Sequence, residues 1–139
     1  MTTKTPSGAS LLKPETLPTH ERGGGARTTP LVTREVGTTS FITGYTSFDP
    51  GVEIPFHSHN VQESVVLIEG EAIMDIDGLE YQLKPQDVTF IPPNVNHRFR
   101  NISKTNPMKI LWIYATPEAT RTLTDSGQTN PVSAEHGKR

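Results

Sequence analysis

The chain has 139 residues, 32% of them hydrophobic, and its 13 lysines and arginines against 15 aspartates and glutamates give a net charge of −2. This balance provides no positive field for nucleic acid or an anionic lipid surface, and the length fits one domain of roughly 100–150 residues. Cysteine is absent, which excludes disulfides and thiolate chemistry and restricts any metal site to nitrogen and oxygen ligands.

Residues 1–30 are rich in Thr, Ser, Pro and Gly, with few large apolar side chains, and are predicted to form a flexible or arm-like N-terminal segment. The run Gly23–Gly25 favours a hinge over an anion-binding loop, because the Lys-Ser/Thr ending of a phosphate loop is missing. No apolar run is long enough for a signal-peptide core or a membrane span. The sequence therefore predicts a soluble, cytoplasmic protein without a membrane partner.

Residues 31–116 show short strand-like runs with turn signals every eight to twelve residues, which is typical of an all-β sandwich or barrel. The runs include TSFITGYTSF (39–48), ESVVLIEG (63–70) and KILWIYAT (109–116), and Asp77-Gly78 suits a tight hairpin turn. Residues 117–139 are predicted to form a short helix, over PEATRTL (117–123), or a polar C-terminal tail.

His57 and His59 lie two residues apart in a predicted strand, so their side chains share one face with Cα atoms roughly 6.5–7 Å apart. Glu63 begins the next strand, and two histidines with one carboxylate match the ligand set of non-haem iron sites. The other histidine of the β segment is His97, whereas His20 and His136 fall in the polar ends. A His-x-His pair by itself is more often two surface histidines, so this pattern alone leaves both readings open.

The spacing of these residues resembles the first motif of the cupin superfamily, which is a glycine, His-x-His, a glutamate and a second glycine. Here it reads Gly51-VEIPF-His57-Ser-His59-NVQ-Glu63-SVVLIE-Gly70, with every fixed position filled. The second cupin motif resembles Gln86-DVTFI-Pro92-Pro-Asn94-VN-His97-RFR-Asn101.

Two glycines of that second motif are replaced, by Gln86 and Asn94. Asparagine is the non-glycine residue that most often adopts the left-handed turn conformation, and neither replacement affects a ligand position.

The resemblance implies a double-sheet jelly-roll barrel over residues 31–116 and a metal ion held by His57, His59, Glu63 and His97. Nitrogen and oxygen ligands suit one divalent Fe, Mn, Ni, Zn or Cu ion without choosing among them. The resemblance to cupins further implies a small-molecule substrate or ligand and a homodimer, with residues 20–40 as an arm on the partner subunit.

Strand parity indicates which side chains surround the ion. Phe99 shares the face of His97, and Trp112 shares a face with Tyr114. Val65 and Leu67 share the face of Glu63, and these five residues are the predicted substrate pocket, with ordinary core packing as the alternative for each aromatic.

Three functions are consistent with this site, and Glu63 and Tyr114 are its candidate catalytic residues. The favoured one is a dioxygenase-like enzyme that activates O₂ at the site of three histidines and Glu63. The second is a non-redox isomerase, lyase or decarboxylase acting on a sugar or small acid. The third is a module that binds a metal or small ligand without turnover. The fold hosts so many chemistries that the order among them rests on analogy.

Overall fold

The structure is a computed structural model that describes residues 2–136, so Met1 and residues 137–139 of the predicted ends lie outside it. Its strands are β1 (Thr2–Lys4), β2 (Ser10–Leu12), β3 (His20–Gly23), β4 (Ala26–Pro30), β5 (Ile42–Phe48), β6 (His57–His59), β7 (Glu63–Glu69), β8 (Ala72–Ile76), β9 (Leu79–Leu83), β10 (Val88–Ile91), β11 (His97–Asn101), β12 (Met108–Tyr114), β13 (Thr120–Leu123) and β14 (Thr129–Pro131).

Twelve of these strands form two antiparallel six-stranded sheets, and β1 pairs only with β2. The first sheet has the order β10-β7-β12-β5-β4-β3, and the second has the order β14-β13-β6-β11-β8-β9. Two facing sheets with these crossovers make a jelly-roll barrel, so the predicted all-β class is confirmed.

Helices contribute little to the described part of the chain. Between residues 2 and 136 they are short 3-10 helices at Pro14–Thr16, Arg34–Val36 and Val132–His136. None of the described helices has the length and apolar character needed to cross a membrane.

The core lies between the sheets because the long strands alternate buried and partly buried residues. In β5 and β12 every second side chain is buried, as the period of two in a strand requires. Phe48, Leu67 and Met108 are fully buried in the core between the sheets. The indole of Trp112 lies against Gly44, where any side chain larger than hydrogen would overlap the ring. Trp112 Nε1 donates to Thr46 Oγ1 at 2.9 Å, so this buried ring is held in one orientation.

Residues 20–30 are part of the first sheet, whereas the sequence predicted a flexible or arm-like segment. β3 and β4 form a hairpin whose turn, Gly24-Gly25, has φ values of 65° and 93°, and β4 pairs with β5 along its whole length. Ala26 and Thr28 bury their side chains in the core. The segment is ordered by this pairing with β5, a contact between distant parts of the chain that local composition does not reveal. The predicted homodimer stays a prediction.

The C-terminal region also differs from the predicted short helix. Residues 120–123 form β13, which pairs with β6 on one side and with β14 on the other. The alternation Thr-Arg-Thr-Leu suits a strand, and β6 supplies main-chain partners that an isolated helix of this length would lack.

The two turns of the second motif keep the left-handed backbone conformation that glycine would adopt at Gln86 and Asn94. Gln86 and Asn94 have φ values of 80° and 65°, in the left-handed region that favours glycine. The Asn94 backbone N–H donates to the carbonyl of His59 at 2.7 Å, which ties this turn to β6. Asp77 and Gly78 also have positive φ and form the predicted hairpin turn between β8 and β9.

The outer face of β11 is stabilised by charge pairs. Arg98 Nε donates to Asp75 at 2.9 Å, and Arg100 donates to both oxygens of Asp75 at 2.7 and 3.0 Å. The Asp75 side chain is only 10% exposed, and these hydrogen bonds, chiefly those from Arg100, hold its pKa below the usual range of an aspartate. The two arginines therefore stabilise the barrel from outside, on the face opposite His97 and Phe99.

Candidate metal centre

Four side chains from both sheets meet inside the barrel. His57 and His59 lie on β6, His97 is the first residue of β11 directly opposite His57, and Glu63 is the first residue of β7 in the other sheet. All four are between 0% and 4% exposed. Ionisable side chains are rarely buried so deeply unless they are paired or bind a metal.

The three imidazole rings form one compact cluster. Their centroids are 4.5 Å apart for His57 and His97, 4.8 Å for His57 and His59, and 5.5 Å for His59 and His97. One ring nitrogen from each histidine lies within 4.8 Å of the others, which makes the cluster a candidate metal site.

Each imidazole is oriented by a backbone carbonyl. Because a carbonyl oxygen can only accept, each Nδ1 must carry the hydrogen, so a neutral form of the ring has its lone pair on Nε2. Such outer hydrogen bonds are typical of metal-binding histidines, since they fix both ring orientation and tautomer. In each case Nδ1 donates to a backbone carbonyl oxygen: His57 to that of Pro55 at 2.8 Å, His59 to that of Thr120 at 2.9 Å, and His97 to that of Val95 at 2.9 Å.

Glu63 supplies the negative charge of the centre. Its Oε1 lies 3.1 Å from His97 Nε2 and 3.7 Å from His59 Nε2. A proton or a metal ion between this carboxylate oxygen and the ring nitrogens would remove the repulsion between their lone pairs. The three histidine nitrogens that lie within 4.8 Å of one another, with this carboxylate beside them, fit a divalent cation.

The His57 ring is kept neutral by its surroundings. Burial lowers the pKa of His57 well below its usual range, and the nearby His97, His59 and Arg121 lower it further, against the opposing effect of the hydrogen bond to Pro55. Neutral imidazole is the form that binds metal ions.

Aromatic side chains from both sheets lie beside the histidines. The Tyr114 ring lies 4.6 Å from His59 and 5.1 Å from Trp112, measured between centroids. Phe99 lies 6.0 Å from His97. The structure thus places these three predicted pocket residues next to the cluster.

An inner cavity of about 20 Å³ adjoins His57 and Glu63, which is room for one ion or water but not for an organic substrate. Its lining includes Phe99, Trp112 and Tyr114 but not Val65 or Leu67, the other two predicted pocket residues. These two lie deeper along β7, opposite Trp112 and Ile110, and belong to the core.

A larger cleft of about 570 Å³ lies outside the inner cavity, within the size range of small-molecule sites. Arg22, Ile54 and Arg121 line both spaces, so they stand between the cleft and the histidines. Sequence reasoning missed all three. The available signals were the glycine turn after Arg22 and the strand-like alternation around Arg121.

The last residue of the second motif has a structural role. Asn101 is 3% exposed, and its Nδ2 donates to the carbonyls of Phe48, Asp49 and Asn106 at 3.3, 3.1 and 2.9 Å. Its Oδ1 accepts from the Ser103 backbone at 3.0 Å. Asn101 therefore holds the loop between β11 and β12.

Fold and site together define a double-sheet β-barrel with a histidine-rich centre. The chain belongs to the cupin family, because the sequence profile of the family described as Cupin domain matches residues 44–114. The resemblance predicted from the two motifs is thereby confirmed.

Several known proteins are similar to this chain. It is 38% identical over 88 residues to polyketide synthase CurC of Streptomyces cyaneus, covering 61% of this chain and 55% of that protein. Tetracenomycin polyketide synthase protein TcmJ of Streptomyces glaucescens is 28% identical over 96 residues, covering 68% of this chain and 64% of that protein. The matches thus span less than two thirds of either relative.

Among solved structures, the polyketide cyclase RemF from Streptomyces resistomycificus has a TM-score of 0.71 and 16% identity, over 88% of this chain and 84% of that one. At that identity the likeness shows a shared fold.

Proposed function

We propose that the chain is a metal-dependent cupin enzyme that acts on an enolisable polycarbonyl or phenolic molecule of the polyketide type. The observation that carries the proposal is the cluster of His57, His59 and His97 inside the barrel, with the Glu63 carboxylate 3.1 Å from His97 Nε2, beside a cavity that adjoins a ligand-sized cleft. The similarity to CurC and TcmJ supports the substrate class, since both are named as polyketide synthase proteins.

In this proposal His57, His59, His97 and Glu63 hold one divalent transition-metal ion. Three nitrogens and one carboxylate oxygen suit Fe, Mn, Ni, Zn or Cu. When bound, such an ion polarises a carbonyl or enol oxygen as a Lewis acid and, if it is redox-active, makes chemistry with O₂ available.

Glu63 is the proposed base and Tyr114 the proposed acid. A carbon between two carbonyl groups is acidic enough for a positioned carboxylate to remove its proton. The electron pair left behind moves to the carbonyl oxygen as an enolate, and the Tyr114 hydroxyl is the proposed donor of a proton to that oxygen, because Tyr114 lines the same inner cavity as Glu63. Phe99 and Trp112 provide flat apolar surface for a conjugated substrate.

Two reaction types follow from the enolate. In a non-redox cyclisation the enolate carbon adds to a second carbonyl group of the same molecule, and the hydroxyl group formed there then leaves with a proton as water. The polyketide substrate class supported by the similarity to CurC and TcmJ provides that second carbonyl group. A dioxygenase-like reaction is the second candidate, because the donor set contains the two-histidine, one-carboxylate pattern of non-haem iron oxygenases.

Metal analysis of purified variants tests the ligand assignment. Wild-type protein and the control His20→Ala, which changes a histidine on β3 outside the cluster, should each retain about one ion per chain. His57→Ala and His97→Ala should lose most of it while circular dichroism still shows a β-protein. Full metal occupancy in His97→Ala would refute the assignment.

Turnover of a 3,5-diketo thioester separates the reaction types. Product formation without O₂ that disappears after chelation and returns with Zn or Mn supports the non-redox reaction. Stoichiometric O₂ uptake supports the dioxygenase-like one. No turnover by fully metallated protein, across poly-β-carbonyl and catechol substrates, contradicts the proposed enzyme and leaves a binding module.

A further inference from the structure

Two arginines approach the entrance of the centre from opposite sheets. Arg22 lies on β3 at the edge of the first sheet, and Arg121 lies on β13 of the second. Both are half-buried, and both line the inner cavity together with His57 and Glu63. Because that cavity is only about 20 Å³, groups lining it surround one small space. An atom held by these arginines would therefore lie beside the candidate metal centre.

Arg121 is directed inwards by the register of β13. It pairs directly with His59 on β6, and residues paired across antiparallel strands point to the same face. The neighbouring Thr122 points outwards, where its hydroxyl lies 2.7 Å from that of Thr129. Arg121 also lines the inner cavity together with His57, so it lies beside the histidine cluster.

Arg22 is directed inwards by an irregularity in the β3–β4 hairpin. Glu21 pairs with Arg27 and Gly23 pairs with Ala26, so the register shifts at the residue between them. A β-bulge leaves its extra residue outside the ladder and turns that side chain, and bulges are frequent beside active sites. The bulge thus adds Arg22 to the lining of the barrel entrance.

The carboxylates of the same cleft are positioned beside other arginines. Glu53 accepts from Arg98 Nη1 at 3.0 Å, and Glu21 lies 3.9 Å from Arg27. Among the described residues that line the inner cavity, Arg22 and Arg121 carry positive charge and Glu63 carries negative charge. The excess of positive charge in this lining attracts an anion to the inner end of the cleft.

We infer that Arg22 and Arg121 bind an anionic oxygen group of the substrate, a carboxylate or an ionised enol, at the entrance to the histidine centre. A guanidinium presents paired N–H donors that match two oxygens, and two such groups fix both the position and the direction of a ligand. Held there, the substrate presents its neighbouring carbonyl to Glu63 and the metal centre. The identity of the substrate rests on the proposed function, whereas the anion site does not.

Binding of salicylate and its neutral analogue salicylamide tests the inference. Isothermal titration should use the full chain as purified and again after EDTA treatment, so that binding to a metal is removed in the second series. In both series salicylate should bind at least about tenfold more tightly than salicylamide. Arg22→Gln and Arg121→Gln should each raise the salicylate Kd about tenfold and change the salicylamide Kd less than about twofold.

Arg34→Gln is the matched control, because it removes the same charge from an exposed arginine that pairs with Glu118 outside the cleft. It should leave both Kd values unchanged. Arg121→Lys keeps the positive charge but lacks the paired N–H donors of the guanidinium, so it should retain part of the preference for salicylate. This variant tests the site if Arg121→Gln fails to fold.

The outcomes separate the two proposals. Equal affinity for both compounds, an unchanged salicylate Kd in both glutamine variants, or loss of the preference after chelation would overturn the anion site. A different outcome is that metal analysis shows no ion bound to the wild-type protein while salicylate is still preferred over salicylamide. That result would contradict the proposed metal-dependent function and would still support the anion site.

Discussion

Replacing Gly70 by alanine should destabilise the fold strongly, because two separate constraints meet at this motif position. Its φ of 92° lies in the region that L-residues rarely adopt. An added Cβ would lie 2.5 Å from the carbonyl oxygen of Pro107 and 2.9 Å from the Cα of Met108. Both neighbours are backbone atoms, so no side-chain rotation can relieve the overlap.

The expected magnitude is the sum of two terms. The positive φ costs about 1–2 kcal/mol for a residue with a Cβ. Overpacking against backbone adds about 1–3 kcal/mol. Gly70→Ala should therefore lower the free energy of unfolding by about 2–5 kcal/mol, a large part of a typical domain's stability.

Gly78→Ala isolates the steric term. Gly78 also has a positive φ, 73°, but no heavy atom lies within 4 Å of a Cβ placed there. The two variants share the same change in unfolded-chain entropy, so their difference reports the crowding by Pro107 and Met108.

Urea unfolding in the presence of EDTA measures both variants without a contribution from metal binding. Gly70→Ala should lose at least about 1 kcal/mol more than Gly78→Ala, with an unchanged m-value. Equal losses in the two variants would refute the close approach of Gly70 to the Pro107–Met108 backbone.

Three further predictions concern neighbouring features. Gln86→Gly should stabilise the fold by about 0.5–1 kcal/mol in urea unfolding, because it removes a side chain from a φ of 80°; destabilisation would contradict strain there. Since Arg100 keeps the folded-state pKa of Asp75 below its unfolded value, the stability it contributes is complete above about pH 4 and is lost as the pH falls through the folded pKa. The unfolding free-energy difference between wild type and Asp75→Asn should thus shrink on acidification, and a constant difference would argue against the ion pair. Asn101→Ala should cost about 2–4 kcal/mol in thermal unfolding because buried carbonyls lose their donor, whereas the exposed Asn106→Ala control should stay within about 0.5 kcal/mol.

The centre of the barrel was predictable because its signals are local. His57 and His59 share a strand face by simple alternation, and Glu63 follows within one short turn. The spacing of the two motifs supplied His97, which the register then places opposite His57. Strand parity also indicated that Phe99 belongs beside it.

The entrance was not predictable in the same way, because it depends on pairing between distant segments. Arg22 precedes three glycines, a composition that also suits a flexible hinge, and only the pairing of β4 with β5 makes it part of the sheet. Arg121 lies in a run that suits either a short helix or a strand. Its position follows from the pairing with His59, which is 62 residues earlier in the chain.

This division between local and long-range signals has a functional counterpart. The segment that matches the family, residues 44–114, contains the three histidines and Glu63, together with the aromatic residues of the inner cavity. Arg22 and Arg121 both lie outside it, one on each side in the sequence. The features that make the chain a metal-binding cupin candidate thus lie within the segment that matches the family. The charges proposed to select a substrate are supplied by strands that flank the shared barrel, so substituting Arg22 or Arg121 should alter ligand preference while leaving the histidine centre in place.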